Sequence, residues 1–245
     1  MERTIRIPAG EHHQPILCPF SESTKLTIHV ESNASVDLLC LFSSKNEENI
    51  EIHQQCTVEQ GAILHVCNIS LGGKNFIQNL VSRIEGEGGE STIDWIFYGK
   101  DYEKQTLSAR NIFDAPNGRG EITVHGVAEG HAESRFTGFI EITKNGGGTN
   151  TYLTEKTLML DPTAKVNAVP GLEIKTNDVK ASHSASVSKV SEEDLFYFAS
   201  RGIGKSIARR MYIEGFLGAL VERIPDESLR EKILAEIAKK YQKER

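Results

Sequence analysis

The sequence predicts a mainly β protein, a β-solenoid body that carries a C-terminal α-helical appendage. Three observations point there. Short runs of alternating apolar and polar residues recur from the N-terminus to about residue 190, and no apolar stretch of helical period interrupts them. Gly and Asn cluster between the runs at irregular intervals of roughly 10 to 25 residues, nearer to the coils of a solenoid than to the two-residue hairpins of a sandwich or barrel. At Ser191 the alternation gives way to helical periodicity.

The runs, in order, are Lys25–Val30, Ser35–Cys40, Ala62–Cys67, Glu121–His125 and Thr137–Ile142. Each alternates across a strand, so one face is apolar and the other polar. Turn signals fall between them at Gly72-Gly73, Gly86 with Gly88-Gly89, Asn117-Gly118 and Gly146-Gly147-Gly148. No sharp repeat is visible, so the solenoid rests on turn spacing. The appendage opens on Ser191-Glu192-Glu193-Asp194, a capping box with Asp in place of the usual Glu. Gly202 stands where a helix C-cap would be. A second helix carries Ile207, Met211, Phe216, Leu217, Leu220, Val221 and Ile224, and Pro225-Asp226 stops it and caps a third. That last helix places Leu229, Ile233, Leu234, Ile237 and Tyr241 on one stripe, with Lys239, Lys240, Lys243 and Arg245 at the end where the helix dipole favours cations. The expected organisation is a β core over 1–190 and a helical domain over 191–245.

The 245 residues carry a net charge of -6, which does not favour a nucleic-acid backbone as partner. The charge divides unevenly, -7 over 1–191 and +1 over 192–245. No run of about 18 apolar residues indicates a transmembrane helix, and MERTIRIPAGEHHQP lacks a signal-peptide apolar core, so a cytoplasmic protein is expected. Cys18, Cys40, Cys56 and Cys67 form no CxxC pair. They read as reduced, mostly buried thiols, with sulfur acceptance or iron ligation as the other reading. His12-His13, His125 and His131 lack metal-ligand spacing and read as surface or core histidines.

Ala199-Ser-Arg-Gly-Ile-Gly-Lys-Ser206 fits a loose phosphate-loop pattern. A phosphate loop needs a strand before it and a helix after it. Here the preceding segment, EEDLFYF, is capped as a helix, and no βαβ alternation exists. The stretch therefore reads as a helix end at Gly202 and a new helix near Gly204, and no nucleotide is expected on this chain.

Asp178–Ile203, DVKASHSASVSKVSEEDLFYFASRGI, resembles the signature of the SufB/SufD family of iron–sulfur cluster assembly subunits. Phe136–Ile142, Gly147–Leu160 and Val169–Ile174 are also similar to that family, over about residues 100–220. The resemblance implies a right-handed parallel β-helix with C-terminal helices. It also implies a homodimer or heterodimer through the β-helices, docking of a SufC-like ABC ATPase on the helices, and a transient iron–sulfur cluster. The nucleotide would sit in the ATPase. This chain starts almost directly in strand-like sequence and looks like a minimal form.

The candidate site residues follow. Alternation puts Val179, Ala181, His183, Ala185 and Val187 on one face of a strand, an apolar stripe expected in a core or interface. By itself, that pattern fits a satisfied core histidine. The resemblance makes His183 a candidate in cluster assembly at the dimer interface. SufB-like members carry a cysteine shortly before the strand written here Thr157-Leu-Met-Leu160, where this chain has Glu155 and Lys156. The residue after the His, often Glu in such members, is Ser184. Both departures resemble a SufD-like subunit, or a lineage with oxygen and nitrogen ligands, since clusters usually take thiolates. Glu155 is then a candidate carboxylate ligand; the alternative is an exposed strand residue. Leu195, Phe196, Tyr197 and Phe198 are four consecutive large residues that one helix face cannot all bury. With Arg201, Gly202 and Ile203 they form the candidate partner surface, the alternative being a seam against the β-helix end.

The function expected is a non-enzymatic assembly subunit. A β-helix enzyme acting on carbohydrate is the alternative, although neither hexapeptide repeats nor Asp-rich Ca²⁺ ligands are visible. A purely structural subunit, indifferent to loss of His183, is a third reading.

Overall fold

Alternating runs this short can bury their apolar face by stacking coil upon coil, and the computed structural model, which describes residues 1–44, 49–190 and 192–241, has that arrangement. The strands are β1 (Glu2–Ile7), β2 (His12–Phe20), β3 (Thr24–Val30), β4 (Ser35–Ser44), β5 (Asn49–Val58), β6 (Ile63–Gly72) and β7 (Asn75–Ile84). They continue with β8 (Glu90–Gly99), β9 (Lys104–Phe113), β10 (Arg119–Ala128), β11 (Glu133–Ile142), β12 (Thr149–Met159), β13 (Lys165–Ile174) and β14 (Val179–Lys189). Odd-numbered strands form one seven-stranded sheet and even-numbered strands the other, every pairing parallel. Each coil therefore contributes one strand to each sheet, which is a parallel β-solenoid.

The register explains why no repeat shows in the sequence. Successive coils are offset by between 22 residues, Ile16 to Leu38, and 32 residues, Glu133 to Lys165. One corner is nevertheless regular. Gly10, Asn33, Gly61, Gly88, Asn117 and Gly148 all have positive φ, and each N–H donates to a carbonyl of the next coil at 2.7–3.0 Å. Gly adopts that backbone most readily and Asn more readily than most other residues, which is why these residues punctuate the chain at this corner.

The lumen is the main core. Phe42 stacks on Phe76 at 4.0 Å, and Trp95 meets Phe136 edge-on at 5.4 Å. Full burial of each such ring is worth roughly 2–3 kcal/mol. Several polar side chains inside the lumen are paired with one another. Gln54, Asn68 and Gln78 exchange amide hydrogen bonds, and Trp95 Nε1–H donates to Ser70 Oγ.

Three helices follow, α1 (Glu192–Ser200), α2 (Lys205–Val221) and α3 (Glu227–Tyr241). Ser191, the expected N-cap, lies outside the described residues, as do the Asp194 side chain, Lys243 and Arg245. At the other end of α1, Gly202 has φ 76°, with Ile203 N–H on the Phe198 carbonyl and Gly202 N–H on that of Ala199. That pair of bonds is a Schellman motif. Asp226 Oδ1 accepts the Leu229 N–H at 2.8 Å and caps α3 as expected. Ile213, Leu217, Leu220 and Val221 of α2, with Ile233 and Ile237 of α3, cover Leu39, Leu41, Ile69, Leu71, Ile96, Tyr98 and Val127 on the outer face of the even sheet. Ile207, Met211 and Leu234 were expected on the buried stripes and are exposed instead. A helix lying on a flat sheet buries a narrower arc than one inside a bundle.

Candidate functional site

Strands β13 and β14 end the two sheets, and each is paired on one side only. Their free edges carry backbone N–H and C=O groups without a ladder partner. Val166, Ala168, Pro170, Leu172 and Ile174 of β13 lie in register with Ser134, Phe136, Gly138, Ile140 and Ile142, so they face the lumen. By the same register, Val179, Ala181, His183, Ala185 and Val187 of β14 face it beside Thr149, Thr151, Leu153, Glu155 and Thr157. The last coil thus presents an apolar floor that no further coil among the described residues covers. Ile174, Val187 and His183 are all exposed on it. The alternation put His183 on the correct face, but the expected burial is not met within the single chain, because a terminal strand has nothing stacked on it.

Glu155 sits one coil deeper on the same face and is 1 % exposed, not the exposed strand residue that was the alternative. Neither carboxylate oxygen has a hydrogen-bond partner, and the hydroxyl of Thr157, the next lumen-facing residue of β12, lacks one as well. Burial pushes the Glu155 carboxyl up to about 8, so it holds its proton at neutral pH. A buried protonated acid whose oxygens have no partner can exchange its proton for a cation. Among the described residues no three His, Cys, Asp or Glu side chains converge as a complete metal site. His183 and Glu155 share the lumen face of adjacent strands and offer one nitrogen and one carboxylate, a set suited to iron or another borderline divalent ion and short of the thiolates a cluster prefers.

The helical surface divides as four consecutive large residues must. Leu195 and Phe198 are half-buried, and Phe198 meets Tyr212 edge-on at 5.5 Å. Phe196 and Tyr197 point out, 74 % and 57 % exposed. Arg201 lies over the Tyr197 ring at 5.4 Å. Arg201 and Gly202 are exposed and Ile203 is half-buried. Ile207 and Met211 of α2 are exposed as well. Ala199–Ser206 runs from the end of one helix into the start of the next, with Gly204 at the α2 N-cap position, so no strand delivers the loop.

All four cysteines are reduced and buried, as expected. His125 is buried, and its Nδ1 bonds the Phe216 carbonyl at 2.8 Å. His131 stacks on Tyr102 at 4.9 Å. His12 Nδ1 lies 2.7 Å from Ser35 Oγ, and His13 Nε2 2.9 Å from Glu11.

Sequence reasoning missed the charged seam where the helices meet the even sheet. His65 bridges Asp37 at 2.8 Å and Asp94 at 3.0 Å through its two ring nitrogens. Burial opposes the charge on that ring, but the bonds to the two carboxylates prevail and push it up to about 9. Arg223, from the α2–α3 turn, stands 3.2 Å from the buried Asp94 Oδ1 as an ion pair without hydrogen-bond alignment, and it also reaches Thr123 and Glu121. At the opposite rim Arg209 bonds Asp161 and Glu129, and Lys240 bonds Glu103. No linear spacing signals these pairs, since Asp37, His65 and Asp94 are brought together only by coil stacking.

Residues 20–216 match the family model described as SUF system FeS cluster assembly, SufBD core domain. The chain is similar to an iron–sulfur cluster assembly SufBD family protein of Mycobacterium leprae, 29 % identical over 186 residues, which are 72 % of this chain and 47 % of that protein. Two proteins of Mycobacterium tuberculosis with the same family description are also similar. One is 28 % identical over 74 % of this chain and 47 % of its own length, the other 25 % identical over 84 % and 24 %. The chain therefore spans about half or less of the length of these relatives. No helix among the described residues is long and apolar enough to cross a membrane.

Proposed function

The chain belongs to the SufBD core family, and from that premise we propose that it is a non-catalytic scaffold subunit in the assembly of iron–sulfur clusters. The observation that carries this reading is the uncovered last coil, with two free strand edges, an apolar floor and a single imidazole on that floor. A second chain, a copy or a paralogue, would pair those edges and bury Ile174 and Val187. His183 would then lie in a junction between subunits, with the buried Glu155 behind it. Two ligands per chain fall short of a cluster site, so each subunit would supply part of the donor set and the partner the rest. The cluster is cargo in this scheme.

The exposed aromatic pair Phe196 and Tyr197, with Leu195, Phe198, Arg201, Gly202 and Ile203 around it, is the proposed docking surface for a SufC-like ABC ATPase, which would hold the nucleotide. The helices are well placed to pass on its motion. α2 and α3 share a continuous apolar core with the even sheet and are pinned at both rims by Arg223, Arg209 and Lys240.

Co-expression of the full chain with an ABC-type ATPase from the same genome, followed by size-exclusion chromatography with light scattering, tests the reading. The expected result is a complex with two solenoid chains that retains the ATPase, and loss of the ATPase but not of the solenoid pair in Phe196→Ser/Tyr197→Ser. A folded monomer that never carries the ATPase would overturn it.

A further inference from the structure

The opposite end of the lumen holds a pair of thiols that the assembly reading does not use. Ile16, Cys18 and Phe20 of β2 stand in register with Leu38, Cys40 and Phe42 of β4, all facing inward. Neighbouring parallel strands lie about 4.8 Å apart, so the two cysteines fall within the Cα separation of about 4.4–6.8 Å that a disulfide bridges. Cys56 also faces the lumen but belongs to the facing sheet, about 10 Å away. Cys67 faces outward, beneath the helices. One thiol pair among the four is therefore juxtaposed.

The surroundings polarise that pair. Gln54 Oε1 accepts from both Asn68 and Gln78 at 2.9 Å, which fixes the amide and turns its Nε2 toward Cys40 Sγ at 3.3 Å. Cys40 in turn stands against Cys18 in register, thiol beside thiol. The Arg3 cation of β1 also favours a thiolate at Cys18. The neighbouring Cys40 thiol is the main cause that holds Cys18 below the ordinary thiol range, while the same pairing and burial push Cys40 up. Cys56, by contrast, is pushed up to about 12 by burial.

Access comes from the strand that carries Cys18. β2 is the last strand of its sheet and has one neighbour. Its register slips between His13 and Ile16, and Pro15 and Pro19 give no N–H to a ladder. A strand held on one side by a broken ladder opens locally at low cost.

We propose that Cys18 and Cys40 form a reversible redox pair, oxidised by a low-molecular-weight disulfide to an intrachain bond that stitches β2 to β4. The Cys18 thiolate attacks one sulfur of the small disulfide and expels a thiolate, leaving a mixed disulfide. Cys40 loses its proton to the expelled thiolate, attacks the Cys18 sulfur and releases the second small thiol. Two protein thiols become one disulfide, and one small disulfide becomes two thiols. The bond closes one whole coil, residues 18 to 40, into a covalent ring. It restrains the unfolded chain and makes the oxidised form harder to unfold.

The test uses the reduced full chain in glutathione buffers of increasing oxidised fraction, quenched with acid, alkylated and mapped by mass spectrometry. One Cys18–Cys40 bond per chain is expected, reversed by dithiothreitol, with Cys56 and Cys67 left as thiols. Native-state iodoacetamide should label Cys18 about tenfold or more faster than Cys56. Cys18 and Cys40 left free in the most oxidising buffer would overturn the proposal. So would a Cys40–Cys56 bond, or a bond that forms only in urea. The mapping is made on the unaltered chain, so no variant has to fold for the answer to stand.

Discussion

Replacing Glu155 by Gln removes a titrating acid from the lumen and leaves a neutral side chain of nearly the same shape. In the folded chain the carboxyl is 1 % exposed, has no hydrogen-bond partner and is pushed up to about 8 by burial, from an ordinary 4.5. Between those values the unfolded chain loses the proton and the folded chain keeps it. The native state then binds more protons, so stability falls as pH rises. The slope from this one group is about 1.4 kcal/mol per pH unit, and the loss from pH 4.5 to 8 totals about 5 kcal/mol. A domain holds only about 5–15 kcal/mol in all, so the effect is large enough to measure. Urea unfolding at pH 5, 6, 7 and 8, with chelator present and protein concentration fixed, gives the two curves. Glu155→Gln should match the wild type near pH 5 and exceed it progressively toward pH 8. His65, whose contribution is complete below pH 6.5 and is lost as pH rises through about 9, is common to both chains and cancels in the difference. A constant difference across the range, or one that shrinks with rising pH, would refute the claim that Glu155 is buried as a neutral acid.

Three further outcomes are expected. Arg223→Ala leaves the buried Asp94 Oδ1 without its cation and should cost about 2 kcal/mol in thermal or urea unfolding, an effect absent from the double variant with Asp94→Asn. The His65 ring should titrate by NMR with a midpoint near 9, and Asp37→Asn should lower it. A chain cut at Val190 uncovers Leu41, Ile69, Leu71, Ile96 and Val127 at once, so it should aggregate or bind a hydrophobic dye rather than behave as a free β domain, as analytical centrifugation would show.

The sequence by itself determined whatever depends on near neighbours. A strand's faces follow from a period of two, so the inward stripe through His183 was legible. Gly202 and Asp226 end and begin helices through bonds to residues three to five positions away, so those boundaries were legible too. So was the division of Leu195–Phe198, since a helix cannot turn four successive side chains to one side. What stacks on what was decided only by the tertiary structure. Coil offsets drift between 22 and 32 residues, so nothing in the chain announces that Cys18 lies on Cys40 or that His65 joins Asp37 to Asp94. The same stacking buries Glu155 and leaves His183, one strand further on, in the open. A side chain's direction is local geometry; its burial depends on whether another coil follows.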